Sequence, residues 1–566
     1  MAQSDVIQTG IYGLDQIFLG GVLKGNVILV EGAPGTGKTL LGVEFIYRGI
    51  TAYNEPGIIV VFEMAPHQLM RDAAGFGWDL EALQQQNKLK IIFTSPQVLH
   101  QELRSPDSLL LEAAAEIGAH RIFIDGISLL YTVANGGNGN NHTGAASYRE
   151  LLLQLIEGVH RENLTAMLSH ELTAHEVQAS ALETAEFLAD TVIVLERERH
   201  HRGIHRTLEI VKSRGQDYDV GQHTLRINGA SSARPFFYPE ESREKPSTPS
   251  PAEERDEGER GVQVFRRVQA AIRHLDPQPT STARRSVIGV DPLDALIGGG
   301  IFDGSTTMVV GISGSGKTVL GVQLLLEGAV KQGKRGLLVS LDEHPAQIVR
   351  NAETLGLDLR AQLDAGTIHL LYESPQELEI DAHFHLVCRT IEKHHIERLV
   401  IDGMTSYSTA LEDQQLYRDF FHALVAYGKQ RLIATFFNYE NPELFGLTSY
   451  MPEFGVSSIV DNIILMNFVE LGDTLHRAIT VAKARGSDHQ FSTREFKVGP
   501  GGISLVPVDE STRVRVLPFQ SYYSLLSRAP TRLSPALRSP DAEVTTAAEA
   551  PPSQPPKRRG RRAANR

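Results

Sequence analysis

Two glycine-rich runs constrain this chain more than any other feature. Gly32-Ala33-Pro34-Gly35-Thr36-Gly37-Lys38-Thr39 follows the apolar run Val27-Ile28-Leu29-Val30, and Gly311-Ile312-Ser313-Gly314-Ser315-Gly316-Lys317-Thr318 follows Met308-Val309-Val310. Each precedes a helix-like segment. Such a loop works only where it turns a buried strand into the amino end of a helix. Its glycines let consecutive backbone N–H groups face phosphate oxygens, the Lys reaches the β and γ oxygens, and the Thr hydroxyl holds Mg²⁺. The candidate nucleotide-binding residues are Gly35, Thr36, Gly37, Lys38, Thr39 and Leu40 in one copy, and Gly314, Ser315, Gly316, Lys317, Thr318 and Val319 in the other. Thr39 and Thr318 are the candidate Mg²⁺ ligands. A chance turn accounts for one such run, not for two in the same setting.

The loops belong to a longer repeat. One and the same offset separates Lys38 from Lys317, Glu63 from Asp342, and Gly77-Trp78-Asp79-Leu80 from Gly356-Leu357-Asp358-Leu359. Asp125 and Asp402, each closing an apolar run, keep nearly that spacing, and Lys212-Ser213-Arg214-Gly215 returns as Lys483-Ala484-Arg485-Gly486 at a slightly shorter one. Solenoid repeats run only about 20–50 residues, so a period close to half the chain means a duplicated domain.

Short Val/Ile-rich runs alternate with helix-length segments, and Ile58 to Phe62 and Gly336 to Ser340 lack polar alternation. The expected fold is α/β: two tandem RecA-like phosphate-loop domains with mostly parallel sheets flanked by helices, and ligands at the carboxyl ends of the strands. The first domain is expected over 6–228 and the second over 286–508, with a carboxyl-terminal extension over 509–534 and a disordered basic tail over 535–566. Residues 229–285 read as a flexible charged and Pro-rich linker, within which Val262 to Leu275 is expected to form one amphipathic helix.

The 566 residues suffice for two cores, and a net charge of −13 argues against a general nucleic-acid surface. One cysteine, Cys388, excludes a disulfide framework. The amino terminus lacks signal-peptide character and no run reads as a membrane span, so a cytoplasmic location is expected. The 21 histidines show no zinc spacing with cysteines or carboxylates, and His200, His201 and His205 read as a solvated loop.

Glu63 ends the second apolar run of the first domain, and the pair Asp342-Glu343 ends its counterpart. Near a γ-phosphate such groups orient and activate a nucleophile, which makes Glu63, Asp342 and Glu343 the catalytic candidates. Asp342 is also a candidate Mg²⁺ ligand, with Asp125 and Asp402 supporting the metal from behind the Thr hydroxyls. The repeated pairs Lys212/Arg214 and Lys483/Arg485 suit cations that reach a neighbouring subunit's γ-phosphate.

These motifs, with Gly13-Leu14-Asp15, Phe76 to Leu80, Ile459 to Leu465 and Ala529-Pro530-Thr531-Arg532, resemble the KaiC family of double-domain ATPases and autokinases over about 6–228 and 286–534. The resemblance implies a homo-hexamer of two stacked rings with ATP and Mg²⁺ between subunits. It implies slow hydrolysis at Glu63 in the first ring and Ser/Thr autophosphorylation in the second. Ser457 and Ser458 fall on the phosphoacceptors, and Arg477 joins the cations expected to act from the neighbouring subunit. It further implies signalling partners that read the phosphorylation state. Met64 stands where the family has a second glutamate, Asp342 is one methylene shorter than its counterpart, and Pro452 replaces a hydroxyl. Two other readings stay open: a DNA-dependent RecA-like motor, and a non-catalytic scaffold assembled by ATP.

Overall fold

The computed structural model describes residues 5–104, 108–134, 141–172, 183–200, 203–229, 260–273, 282–411, 413–441, 458–471 and 474–507. Ser457, the extension 509–534, the tail 535–566 and most of the linker lie outside them.

The first domain is built on β1 (Val27–Gly32), α1 (Lys38–Tyr53), β2 (Gly57–Val61), β3 (Leu89–Phe93), β4 (Arg121–Asp125), α2 (Asn141–Arg161), β5 (Thr165–Glu171), β6 (Thr191–His200), β7 (Gly203–Ser213), β8 (Gln222–Asn228) and β9 (Gly261–Phe265). A short helix, α3 (Val268–Arg273), leads into the second domain. That domain comprises β10 (Thr306–Gly311), α4 (Lys317–Gln332), β11 (Gly336–Ser340), β12 (Ile368–Tyr372), α5 (Ile380–His394), β13 (Arg398–Asp402), α6 (Met404–Ala410), α7 (Gln414–Gln430), β14 (Ala434–Glu440), β15 (Asn462–Leu471), β16 (Thr474–Ala484), β17 (Thr493–Gly499) and β18 (Gly502–Leu505).

Each domain holds a nine-stranded sheet, ordered β3-β2-β4-β5-β1-β6-β7-β8-β9 and β12-β11-β13-β14-β10-β15-β16-β17-β18. The first six strands in each order pair in parallel and the last three join antiparallel. These are the two tandem RecA-like sheets expected. Helices cover both faces, so the central strands are apolar throughout: Ile28 and Val30 pack into one core, Val27 and Leu29 into the other.

Arg121 and Arg398, the first residues of β4 and β13, are fully buried. Arg121 donates to the Phe45 and Gln8 carbonyls and pairs with Glu55, while Arg398 donates to the Leu324 and Val287 carbonyls. Each guanidinium stem lies against a glycine: a Cβ at Gly49 or Gly328 would come within 2.5 Å of the Arg121 or Arg398 side chain. The same buried cation thus locks the phosphate-loop helix to the sheet in both copies.

The linker differs from expectation. Gly261–Phe265 is a strand, not part of a helix, and it adds antiparallel to β8 as the ninth strand of the first sheet. Helix α3 covers only Val268–Arg273. The period decides it: Val262 and Val264 enter the first-domain core at a spacing of two, and burying each contributes about 1.5–3 kcal/mol. Gly261 has φ +97°, and a Cβ there would meet the Glu44 carboxylate at 2.5 Å, where Glu44 accepts from the Val262 N–H at 2.6 Å. Val268, just beyond the strand, belongs to the second-domain core instead. This short segment ties one domain to the other.

Candidate functional site

Both phosphate loops run from the carboxyl end of a central strand into a buried helix. Gly35 and Gly314 have φ +78° and +74°, and Gly37 and Gly316 have φ +113° and +108°, a left-handed region open to glycine at little cost. Gly37 and Gly316 cap α1 and α4, turning those helix amino ends toward the loop. Lys38 Nζ donates to the Gly32 and Ala33 carbonyls at 2.7 and 3.0 Å, and Lys317 Nζ to Gly311 and Ile312 at 2.9 Å each. Burial lowers the proton affinity of both amines, and the carboxylates around them oppose it.

Behind each loop sits the expected aspartate. Thr39 Oγ1 donates to Asp125 Oδ2 at 2.8 Å, and Ser169 Oγ to Asp125 Oδ1 at 2.5 Å. In the second domain Asp402 accepts from Asn438 Nδ2 at 3.0 Å and from the Thr318 hydroxyl, and burial raises its proton affinity. A cavity of about 400 Å³ opens over the second loop, with Lys317, Thr318, Asp342, Glu343, Asp402 and Glu440 in its wall. Burial, then Asp402 and Asp342, raise the pKa of Glu343. Glu63 is exposed at the end of β2, while Met64 beside it packs against the core.

The cradle suits ATP and Mg²⁺. Glycine amides and a lysine surround each loop opening, a threonine hydroxyl is held by an aspartate, and the buried Ser315 hydroxyl lacks a partner among the described residues. Thr39 and Thr318, backed by Asp125 and Asp402, would hold the metal.

One pair of site residues escaped the sequence reading. Glu171 and Glu440 end β5 and β14, and they are the foremost carboxylates acting on Lys38 and Lys317. Their signal was available: Thr165–Glu171 and Ala434–Glu440 are matching apolar strands, each closing on a glutamate, at almost the offset of the basic pairs.

The basic pairs follow the repeat. Lys212 Nζ donates to the Ala189 carbonyl at 2.6 Å and Arg214 to Phe187 at 2.7 Å; Lys483 donates to Val460 at 2.6 Å and Arg485 to Ser458 at 2.7 Å. Asp190 and Asp461 lie 3.8 and 3.7 Å from Arg214 and Arg485. The guanidiniums remain half exposed. Arg477, expected at a neighbour's nucleotide, lies in the wall of its own domain's cavity, 3.3 Å from the Gly314 carbonyl. Ser458 is exposed, and Ser457 lies outside the described residues.

The structural equivalence separates the domains. Ser457-Ser458 follows Glu186-Phe187 at the same offset by which Arg485 follows Arg214. A hydroxyl therefore stands at the basic pair's anchor in the second domain and a phenyl ring in the first.

Comparisons with known proteins agree with this duplication. The family model described as "ATPase: KaiC" matches residues 7–233 and again 287–510. The chain is 29% identical over 534 residues to the circadian clock oscillator protein KaiC of Picosynechococcus sp., covering 93% of each protein. It is 29% identical over 539 residues to that of Thermostichus vulcanus, covering 94% of this chain and 93% of the relative. With the Prochlorococcus marinus protein the identity is 29% over 506 residues, 88% of this chain and 92% of the relative. Two matched domains, each with a complete phosphate loop, place this chain in the KaiC family of nucleotide-binding ATPases.

Proposed function

We propose that the first domain hydrolyses ATP slowly and that the second transfers the γ-phosphoryl group of ATP to the chain's own serines. The observation that carries this reading is the exchange of Glu186-Phe187 for Ser457-Ser458 beside otherwise matching Lys-x-Arg anchors. The domain without a hydroxyl at that place is left with water as nucleophile, oriented by Glu63. In the second domain a serine Oγ forms the new O–P bond as the β–γ bridging bond breaks, ADP leaves, and Glu343 takes the hydroxyl proton. Its raised proton affinity suits that task. Asp342 and Glu440 shape the charge around the γ-phosphate. Arg477 acts from its own domain, and a Mg²⁺ ion held by Thr39 or Thr318 would supply the positive charge that neutralises the phosphates.

The half-exposed guanidiniums of Arg214 and Arg485 support a ring in which each subunit supplies a cation to its neighbour's nucleotide, giving a homo-hexamer of two stacked rings. Phosphate added at such a seam alters its charge, which makes the assembly a signalling or timing switch read by other proteins. Among the described residues no helix is long and apolar enough to cross a membrane, consistent with work in the cytoplasm. The carboxylates converging on Lys317 favour catalysis over a passive scaffold.

ADP formation and phosphate incorporation per subunit in wild type, Lys38→Ala, Lys317→Ala and the double variant test this, with native mass measured in parallel. Turnover in each single variant and none in the double, from a six-subunit species, is expected. Equal turnover in wild type and the double variant overturns it.

A further inference from the structure

A continuous line of polar contacts joins the two domains and ends at the second nucleotide site. It begins on β8. Ile227 rests on the first phosphate loop, where a Cβ on Gly37 would come within 2.8 Å of its Cδ1. The preceding residue, Arg226, crosses to the second domain, pairing with Glu379 and lying 3.4 Å from Glu373 Oε1. Glu373 Oε2 is 2.7 Å from His383 Nδ1, and His383 Nε2 is 2.7 Å from the Tyr407 hydroxyl. Burial pushes the Glu373 carboxyl up, but the bonds from His383 and Arg226 outweigh it and hold it below the usual range. An ionised carboxylate only accepts. His383 therefore donates from Nδ1 to Glu373, and its Nε2 shares a hydrogen bond with the Tyr407 hydroxyl.

Tyr407 lies on α6, and its two predecessors touch the site. Ser406 Oγ donates to Asp342 Oδ1, and Thr405 Oγ1 exchanges bonds with the Glu440 backbone at 3.0 and 3.1 Å. Asp342 also lies against Gly403, where a Cβ would meet Oδ2 at 2.5 Å. Three consecutive residues thus fix Glu440, Asp342 and the polar line. His383 and Tyr407 are fully buried, and the Tyr407 ring stacks on Phe420 at 4.9 Å. A second anchor runs beside the first: Asp381 accepts from Thr224 Oγ1 of β8 at 2.8 Å and from the Val268 N–H at 2.9 Å.

We propose that His383 and Tyr407 are positioning residues for the second-domain carboxylates, and that Arg226 makes their alignment depend on the first domain. This rests on the reading of the second domain as an ATP-consuming site. A displacement of β8 at the first phosphate loop moves Arg226 and, through Glu373, the helix that sets Asp342.

The test uses full-length protein carrying Lys38→Ala, so that turnover reports the second domain, with Arg226→Gln, His383→Gln or Tyr407→Phe added. Tyr407→Phe keeps the stacked ring and removes only the hydroxyl. Each added change is expected to lower kcat about 3- to 30-fold with KM within about twofold, as loss of alignment without loss of binding. Amide exchange of Met404–Ala410 is expected to rise by a similar factor. Arg226→Lys, which keeps the cation beside Glu373, recovers most of the loss. Arg226→Gln and Tyr407→Phe combined cost less than the product of their separate effects. Unchanged kcat and exchange in all three, or strictly multiplicative effects, overturn the proposal. Turnover no greater in the Lys38→Ala parent than in Lys38→Ala/Lys317→Ala removes the catalytic reading instead, and the exchange rates alone then decide the alignment.

Discussion

The Arg485 guanidinium donates to the main-chain oxygen of Ser458 at 2.7 Å, just as Arg214 donates to Phe187 at 2.7 Å in the first domain. A cation proposed to meet a phosphate and a hydroxyl proposed to receive one are thus held together by one contact. Arg485→Ala is expected to lower autophosphorylation by about 10³-fold, the lower range for an arginine finger, with little loss of folding stability because the side chain is half exposed. Phosphate incorporation per subunit checks it, with Arg485→Lys intermediate because a point charge lacks the planar fork.

Glu63 is the first-domain strand-end carboxylate on the β2 side of the loop, since its neighbour Met64 packs against the core. In a Lys317→Ala background, Glu63→Gln should reduce ATP hydrolysis about 10²- to 10⁴-fold, the usual span for a positioned general base. ADP release under saturating ATP measures it.

Glu31 on β1 is buried, and burial followed by Glu186 pushes its pKa up to about 8. The unfolded chain releases this proton near pH 4.5 while the folded chain retains it to about pH 8, so the folded state loses stability as pH rises across that window. Glu31→Gln is therefore expected to stabilise the first domain, with the gain larger at pH 8 than at pH 5. Thermal unfolding of both proteins at the two pH values checks the sign.

Gly49→Ala would drive a methyl to within 2.5 Å of the Arg121 side chain, and Gly328→Ala would do the same at Arg398. Each should cost about 1–3 kcal/mol, as overpacking does. Gly499→Ala, whose Cβ would meet nothing within 4 Å, is the neutral control. Denaturant midpoints of the three variants separate these outcomes.

Much of this was legible in the chain itself, because the governing signals are local. A strand, a glycine turn and a helix start follow one another without a break, so both loops and the sheets they enter could be read directly. The strand ends at Glu63, Asp125, Asp342 and Asp402 followed from the repeat. The helix expected over Val262 to Leu275 missed the strand because Val262 to Phe265 is too short a run to establish a period of two before its partner strand is known. Glu171 and Glu440 were overlooked, although the same repeat marks them. Arg226 meeting Glu373 was beyond reach, since nothing in either segment encodes a partner in the other domain.

Phosphopeptide mapping after incubation with ATP tests the central claim most directly. Phosphate on Ser457 or Ser458 in wild type, and on neither in Lys317→Ala, is the predicted result. Active, nucleotide-turning protein with both serines unmodified would contradict it.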